Sequence, residues 1–328
     1  MEYRKAKIVV GHNKYMPKLP NKQFRAMVPL LREKDFYEPE EPRKISWPEY
    51  NLSQIDDAYE TLTFIRESVD KAQYLDTKGK TGRPLTDPKI LAKAVLLCES
   101  LGLTERAAQG WLKIIGPFLG IHEYLDDKTI GDAYDKPEVA YILKQIFDSS
   151  KTSDGILAGD GTGLETSRKQ NYEEDKKYGT YMTSIVDSRE IVQAFDISGK
   201  QECQAMHTLI EQVDGNSLRL DAGFNDRDLV VKIDKLGMAP YVFPKKNNNL
   251  NGRLAWQTMY LELYYDVMQW LTEYHQRSHS ESFHSSFKER NKLLMKRRPL
   301  CQLTQVTARI ILHNRRRLSY FTKLAKAS

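Results

Sequence analysis

Hydrophobic residues recur at helical spacing through the first half of the chain. Between Ser53 and Leu75 they follow the three- and four-residue steps of an amphipathic helix, and Ser53 can cap its start. From 85 to 150 the same spacing predicts four further helices. Their starts are marked by Thr86, Thr104, Asp127 and Pro137. Helix, short glycine-containing turn and helix is the helix-turn-helix pattern, although ordinary small bundles share it.

The pattern changes at Gly155, where short apolar stretches separated by glycine and turn residues begin. They predict five strands, at 155–164, 181–186, 191–196, 217–221 and 239–243. Helices are predicted at 202–213 and 226–236, and a largely helical stretch follows the last strand. Three strands, helix, strand, helix, strand, helix is the order of an RNase H-like domain. The predicted fold class is therefore α/β: an RNase H-like mixed sheet flanked by helices and preceded by a helical, helix-turn-helix-like domain.

A narrow polar stripe follows the single helix predicted from Tyr274 to Lys288. Arg277 and Glu281 lie on it as well, because these four residues are separated by steps of three, four and seven. The opposite side is apolar and predicts a buried face: Phe283, Phe287 and Leu294. A carboxylate between cations suits a metal-dependent enzyme that acts on a nucleic-acid backbone. On a solvated helix the same spacing would give only weak surface ion pairs.

Two further acids stand at strand positions. Asp160 lies inside a predicted strand between two glycines, where a charge is costly unless paired and where a metal or phosphate backbone can approach closely. Asp221 ends its strand before a glycine turn, a frequent position of site residues in α/β sheets. Each could instead be a conformational turn residue. The apolar residues before Asp160 favour a functional role there, whereas the two readings of Asp221 taken alone are balanced.

Three sequence patterns occur together in one order: Asp-Gly-Thr-Gly from Asp160, Leu-Asp-Ala-Gly-Phe around Asp221, and Tyr-x2-Arg-x3-Glu-x6-Lys from Tyr274. Over about residues 82–318 the chain resembles the DDE transposases of prokaryotic insertion sequences, whose signature helix carries Tyr, Arg, Glu and Lys. The resemblance implies that Asp160, Asp221 and Glu281 are catalytic and hold two Mg²⁺ ions, with Mn²⁺ as an alternative. The implied reaction is cleavage at transposon ends followed by strand transfer into target DNA.

The resemblance also implies contacts with double-stranded DNA. Arg277 and Lys288 would hold phosphates beside the scissile bond, and Tyr274 would donate a hydrogen bond to a phosphate or stack at the DNA end. The helical unit at 85–150 would select the terminal inverted repeats, and a homodimer would pair the two ends. Further phosphate contacts are expected from Arg83, Arg106 and Lys128.

Positive charge is concentrated at the end of the chain. From Lys288 to Ser328, twelve Lys or Arg residues stand against one acid, a net charge of +11, whereas the preceding residues carry a net −5. Such a segment suits a polyanion partner, or it is a solubilising tail. Apolar residues interleaved with Arg315 and its neighbours favour an ordered basic helix, and Arg315 is predicted to contact DNA.

Composition restricts the remaining possibilities. Of 328 residues, 40% are hydrophobic and 29% charged, and no apolar run reaches the length of about 18 residues that a membrane span needs. The first residues do not form a signal peptide, so a cytoplasmic, nucleoid-associated protein without a membrane partner is expected. The three cysteines are widely scattered and predict neither a disulfide framework nor a zinc site: Cys98, Cys203 and Cys301.

The predicted domains are an arm with a helix and linkers at 1–84, a helical DNA-binding domain at 85–150 and a catalytic domain at 151–328. Two other functions compete with transposition: an RNase H-like DNA nuclease without strand transfer and a domesticated DNA-binding regulator. The presence of all three acids favours an enzyme. Other acids fit turns and helix caps or a solvated surface: Asp154, Asp187, Asp196, Asp226, Glu273 and Glu289. No catalytic role is predicted for His275, His279 or His284.

Overall fold

A five-stranded mixed sheet lies at the centre of the computed structural model, which describes residues 19–33, 37, 45–74, 86–166, 180–291 and 293–327. The strands are β1 Ile156–Leu164, β2 Thr180–Asp187, β3 Val192–Asp196, β4 Ser217–Leu220 and β5 Ala239–Val242, in the order β3-β2-β1-β4-β5. Strands β1, β2 and β3 pair antiparallel, whereas β4 is parallel to β1 and β5 is parallel to β4. All five strands lie where the sequence pattern predicts them.

The register of the central strands fixes where two acids lie. Gly159 of β1 stands opposite Leu220, the last residue of β4. Asp160 and Asp221 are the next residues along these two parallel strands. The chain therefore delivers both carboxylates to the same end of the sheet, as open α/β sheets do with site residues.

Seven helices precede the sheet in the described residues: α1 Asn21–Leu30, α2 Trp47–Ile55, α3 Asp57–Lys71, α4 Pro88–Leu101, α5 Glu105–Leu119, α6 Asp127–Ala133 and α7 Pro137–Ser150. The four helices from α4 to α7 confirm the predicted helical unit. Thr104 caps α5 as predicted, but Asp87 and Asp126, each one residue from the expected position, cap α4 and α6. Gly102 ends α4 in the left-handed conformation, with φ 62°.

The prediction of one helix from Ser53 to Leu75 is wrong about where the helix begins. Two helices meet there, because α2 ends at Ile55 and α3 begins at Asp57. Ser53 lies inside α2, where its hydroxyl donates to the carbonyl of Tyr50 instead of capping a helix. The two linkers predicted within 1–84, at 38–43 and at 78–84 with Arg83, lie entirely outside the described residues.

Six helices follow the first strands in the described residues: α8 Glu202–Leu209, α9 Arg227–Lys235, α10 Leu254–Tyr265, α11 Val267–His275, α12 Ser278–Arg290 and α13 Pro299–Ala327. The two faces of the sheet bury different cores. Ala158 and Leu164 of β1 pack with the helices of the N-terminal unit, α12 and α13, whereas Leu157 belongs to the core beneath α8, α9 and α10. None of the described helices has the length and apolar character needed to cross a membrane.

The single helix predicted from Tyr274 to Lys288 is interrupted. Helix α11 ends at His275 and α12 begins at Ser278. At the break, the amide of Arg277 donates to the carbonyl of Tyr274 (2.9 Å) and the amide of Ser280 donates to that of Arg277 (3.0 Å). These three-residue steps replace the four-residue steps of an α-helix, so the chain tightens there without glycine or proline.

The basic C-terminal helix is a core element. Helix α13 packs against α2, α4 and α7, and Val306, Ile310 and Ile311 are fully buried. Arg315 is itself buried and forms ion pairs with Asp57 and Glu60 of α3. Other cations of this segment are also paired: Lys296 with Glu105, Arg298 with Asp135, Arg309 with Glu99, and Lys323 with Asp56 and Glu60.

The structure gives no support to the predicted DNA contact at Arg315, which is a buried ion-pair partner instead. Its guanidinium is committed to acids of the same chain, and burial lowers its pKa to about 10. Many of the positively charged side chains at the C-terminal end thus form ion pairs with acidic side chains of the preceding residues. Much of this charge is therefore neutralised within the molecule. A count of charges along the sequence cannot show this, because the partners are far apart in the chain: 163 residues for Arg298 and Asp135, and 258 for Arg315 and Asp57.

Candidate active site

Asp160 lies in the middle of β1, opposite Ser184 of β2. Its Oδ1 accepts a hydrogen bond from the amide of Gly161 (2.9 Å). Its side chain is about one-fifth exposed, so the carboxylate is mostly buried but remains accessible to solvent.

Asp221 directly follows β4 and opens a short 3₁₀ turn, Ala222–Phe224. Its Oδ1 accepts from the amide of Gly223 at 2.7 Å. A Cβ atom at position 223 would lie 2.8 Å from that same oxygen, so the close approach requires glycine. The amide of Gly223, two residues after Asp221, thus orients the carboxylate, and the missing Cβ leaves room for the close approach.

Glu281 lies in the first turn of α12 and forms an ion pair with Arg277. The other terminal nitrogen of Arg277, Nη1, lies 3.8 Å from Oδ2 of Asp160. The guanidinium therefore stands between two of the three predicted catalytic acids. These two acids come from a strand and a helix that are 121 residues apart in the chain.

The charges of the three acids act on one another. Burial raises the pKa of Asp160, the amide of Gly161 and Arg277 lower it, and the negative charges of Asp221 and Glu281 raise it again. Burial by itself would lower the pKa of Arg277, but Tyr274, Glu281 and Asp160 together raise it. We call Asp160, Asp221 and Glu281 the carboxylate cluster. Carboxylates are the oxygen ligands that a divalent cation prefers, although in this structure the ligand atoms of the cluster do not all lie within 4.8 Å of one another.

The sequence prediction missed a fourth acid beside the cluster. Glu202 lies in the first turn of α8, and its Oε1 is 2.7 Å from where a Cβ of residue 161 would stand. Burial raises the pKa of Glu202, and the charges of Asp221 and Asp160 raise it further. No motif identifies Glu202, because its place depends on how α8 packs on the sheet. The one available signal is Gly161, which leaves the space that this carboxylate occupies.

His284 lies behind Asp160, with Nδ1 3.7 Å from Oδ2 and Nε2 2.9 Å from the hydroxyl of Ser184. Burial and the neighbouring charge of Lys288 lower the pKa of His284 to about 4. The ring is neutral at neutral pH, so its contact with Asp160 is not an ion pair. The buried ring packs behind β1 on the face that carries Asp160.

The remaining polar residues of the predicted stripe also face this region. Lys288 donates to the hydroxyl of Thr162 (2.9 Å), two residues beyond Asp160 on the same strand and the same face. Tyr274 stacks on Trp270 and packs against Phe243, with ring centroids 5.2 and 5.1 Å apart. Burial raises the pKa of Tyr274 to about 12, and its hydroxyl is hydrogen-bonded to Arg277. Because the ring packs against Trp270 and Phe243, a DNA contact by Tyr274 would be made through its hydroxyl and not through a ring face.

The buried face predicted for this helix is confirmed. Phe283 and Phe287 of α12 are buried, and Leu294, which lies beyond the helix, is buried beside a bridge to Thr166. Glu273, expected on a solvated surface, is instead an ion-pair partner. Its carboxylate accepts a hydrogen bond from Nη2 of the buried Arg219 (2.6 Å), and its main-chain carbonyl accepts one from Nε (2.8 Å).

This contact ties β4 to α11. Strand β4 leads into Asp221, and α11 leads into Arg277 and Glu281. The pair therefore fixes the relative position of two parts of the site without touching the carboxylate cluster.

Two of the predicted N-terminal DNA contacts lie together, far from the cluster in sequence. Arg106 at the start of α5 and Lys128 at the start of α6 line one shallow depression with Asp127. Arg106 is highly exposed and donates to Asp127 (3.1 Å), and Lys128 is exposed. Arg83 lies outside the described residues.

The strand order β3-β2-β1-β4-β5 and the acids on β1, after β4 and on α12 define an RNase H-like protein. The family model of the transposase DDE domain matches residues 151–315, half of the chain, and the chain belongs to this family. It is thus a DDE transposase, and the family membership implies that it binds DNA. Neither a curated protein nor a solved structure matches the chain. The match begins at 151, the predicted start of the catalytic domain.

Proposed function

We propose that the protein cleaves DNA at the ends of an insertion sequence and joins the freed ends to target DNA, with the carboxylate cluster as its catalytic centre. The observation that carries the proposal is the placement of Arg277. It pairs with Glu281, lies 3.8 Å from Asp160, and so brings the signature helix to the strand acids. Asp221 joins them through the register of β1 and β4.

The donors of the cluster fit Mg²⁺, with Mn²⁺ as an alternative. All three are carboxylates, and hard oxygen ligands favour these ions over zinc. Their mutual repulsion, which raises the pKa of Asp160, would be relieved by positive charge. When bound, two such ions would activate a water or a 3′ hydroxyl as nucleophile and stabilise the leaving oxygen. Asp160, Asp221 and Glu281 would hold them, with Glu202 close by.

The cations beside the cluster would position the DNA backbone. Arg277 presents a planar fork that suits a phosphate next to the scissile bond, and Lys288 supplies a point charge at the Thr162 end of β1. The hydroxyl of Tyr274 would donate to a phosphate beside Arg277. Arg277 lies beside Asp160 and is hydrogen-bonded to the hydroxyl of Tyr274. Lys288 contacts Thr162 on the strand of Asp160, which supports the assignment of the three residues to one DNA path.

Arg106 and Lys128 support a second DNA contact. Both extend from the first turn of a helix, where amide groups and the helix dipole also favour phosphate. In the proposal, this helical unit, with Arg83 before it, binds the terminal inverted repeats. Two copies of the chain would then hold a pair of ends as a homodimer.

The test uses the purified full chain and DNA duplexes that carry the sequences flanking its coding region, with Mg²⁺ present. Wild-type protein should nick these duplexes and join them to a supercoiled plasmid. Asp160→Asn and Glu281→Gln should abolish both steps and leave duplex binding largely intact. Glu289→Gln is the matched control, since Glu289 is exposed on the same helix as Glu281.

Cleavage by Asp160→Asn at the wild-type rate would overturn the assignment of the cluster. Cleavage without joining would instead favour the RNase H-like nuclease. Binding without cleavage by the wild-type protein would favour the DNA-binding regulator.

A further inference from the structure

A second group of metal-ligating side chains lies where α8 meets the start of α9. Cys203 and His207 are one turn apart on this helix, and Asp226 caps the start of α9. Sγ of Cys203 lies 3.6 Å from Oδ2 of Asp226, and Nε2 of His207 lies 3.1 Å from the same oxygen. All three candidate ligand atoms lie within 4.8 Å of one another.

We propose that Cys203, His207 and Asp226 bind one Zn²⁺ ion. Zinc binds sulfur at about 2.3 Å and nitrogen or oxygen at about 2.0–2.2 Å, so a tetrahedral site separates its ligand atoms by about 3.3–3.6 Å. The distances from Oδ2 of Asp226 to Sγ of Cys203 (3.6 Å) and to Nε2 of His207 (3.1 Å) are therefore close to those of a zinc site already, and Sγ and Nε2 lie within 4.8 Å of each other. The protein needs only small side-chain movements to receive the ion.

The backbone and its caps hold Asp226 for this role. Its Oδ1 accepts from the amide of Asp228 (2.8 Å), which is the capping bond of α9. That bond leaves Oδ2 directed at Cys203 and His207. A carboxylate that binds a metal through one oxygen while the other accepts a hydrogen bond is a common arrangement in metal sites. A helix cap alone would need only the Oδ1 contact.

The ligand types choose the metal. A thiolate, an imidazole and a carboxylate suit zinc, whereas the oxygen-only carboxylate cluster suits Mg²⁺. The side chains of His207 and Asp226 are 30% and 38% exposed, so an ion can enter and a water can complete the tetrahedron. The spacing of Cys203 and His207, four residues apart on a helix, places both on one face. The prediction of no zinc site followed from the scatter of the cysteines, and it overlooked ligands of other types.

The site would join two segments that lead to the cluster. Cys203 directly follows Glu202, whose carboxylate reaches the space beside Gly161, and Asp226 caps α9 just after the 3₁₀ turn that Asp221 opens. Bound zinc would therefore fix α8 against the segment between β4 and α9. The binding itself does not depend on the proposed reaction, because its ligands are separate from the cluster.

The test uses Co²⁺ as a spectroscopic probe in the metal-free full chain. Co²⁺ bound to a thiolate in a tetrahedral site gives a sulfur-to-metal charge-transfer band and strong visible bands. Oxygen-only sites do not give the charge-transfer band, so the carboxylate cluster cannot produce the signal. We expect one equivalent of Co²⁺ to generate both sets of bands and one equivalent of Zn²⁺ to remove them.

The variants assign the signal to residues. Cys203→Ser should abolish the charge-transfer band, and His207→Ala should weaken Co²⁺ binding by about 10-fold or more. Cys301→Ala is the matched control, since Cys301 is also a cysteine hydrogen-bonded to an aspartate, Asp135, but belongs to no group of three such ligands in the described residues. Circular dichroism verifies the fold of each variant.

Zinc should also raise the unfolding temperature of the wild-type protein and not that of Cys203→Ser. The proposal is overturned if folded wild-type protein gives no charge-transfer band. It is equally overturned if the band survives in Cys203→Ser or disappears in Cys301→Ala. Asp160→Asn, which disables the proposed reaction, should keep the band, so the two proposals fail separately.

Discussion

Arg277 joins Glu281 and Asp160: one terminal guanidinium nitrogen pairs with the glutamate and the other lies 3.8 Å from Oδ2 of the aspartate. One cation thus balances two acids that would otherwise repel each other in a partly buried site. The same group is positioned to contact a DNA phosphate. Its loss should therefore impair catalysis more than DNA binding.

Arg277→Ala is expected to reduce the single-turnover rate of DNA cleavage by about 100-fold, since loss of one preorganised charge commonly costs 10²–10³. Arg277→Lys should be only partly active, because an ammonium cannot form the fork. The control is Arg290→Ala, at the exposed C-terminal end of α12, the helix that Arg277 precedes. Equal losses in both alanine variants would mean that general positive charge, and not the bridging position, matters.

A pair of glycines tests the fourth carboxylate. A Cβ at position 161 would lie 2.7 Å from Oε1 of Glu202 and 2.6 Å from atoms of Tyr181, whereas at position 163 nothing lies within 4 Å. Gly161→Ala should displace Glu202 and lower the cleavage rate by about 10- to 100-fold, since small misplacements in a site have effects of this size. Gly163→Ala, on the same strand, should be close to wild type.

The same rate measured over a range of Mg²⁺ concentrations shows how Glu202 acts. If Glu202 supports metal binding, Glu202→Gln should need about 10-fold more Mg²⁺ for half-maximal rate. An unchanged Mg²⁺ dependence in Glu202→Gln would show that this acid lies beside the site without serving it.

The pair of Arg219 and Glu273 is predicted to contribute to stability. Arg219 is 1% exposed and its partner 31%, so Glu273→Ala leaves a buried cation without its carboxylate. We expect a loss of about 2–3 kcal/mol in the free energy of unfolding, below the 3–5 typical of fully buried pairs because one partner is partly solvated. Urea unfolding measures it. Glu289→Ala, an exposed acid, should change stability by no more than about 0.5 kcal/mol.

Acid should destabilise the protein through His313. Burial lowers its pKa from 6.5 to about 3, although its hydrogen bond with the carbonyl of Glu190 opposes the shift. The folded state binds the proton less readily than the unfolded state, so the associated stability is complete above pH 6.5. It is lost as the pH falls from 6.5 toward 3.

The slope from one such group approaches about 1.4 kcal/mol per pH unit. His313→Gln can keep a hydrogen bond and does not titrate, so its unfolding free energy should fall less steeply across this range. Unfolding by urea at a series of pH values tests this. A slope identical to that of the wild-type protein would exclude His313 as the source.

Much of the catalytic fold could be predicted because its signals are local. Apolar alternation and glycine turns mark β1 to β5, and residues such as Thr104 and Gly102 mark helix ends within one or two positions. The prediction of Asp160 followed from its place between glycines inside a strand, that of Asp221 from a strand end, and that of Glu281 from the spacing of its helix. Family membership confirms the transposase, whereas the roles of the individual site residues stay predictions.

The sequence by itself determined the order of elements and the α/β class, because periodicity and turn chemistry act over a few residues. It also supplied the prediction of the three acids of the cluster. Only the tertiary structure decided which charges remain available. Arg315 forms ion pairs with Asp57 and Glu60, and Glu273 forms one with Arg219. Packing also brings Glu202 beside the cluster. It brings Cys203 close to His207 and Asp226. Whether a charged or metal-ligating side chain is free to act depends on neighbours that are distant in sequence, and only the packing of the chain brings these together.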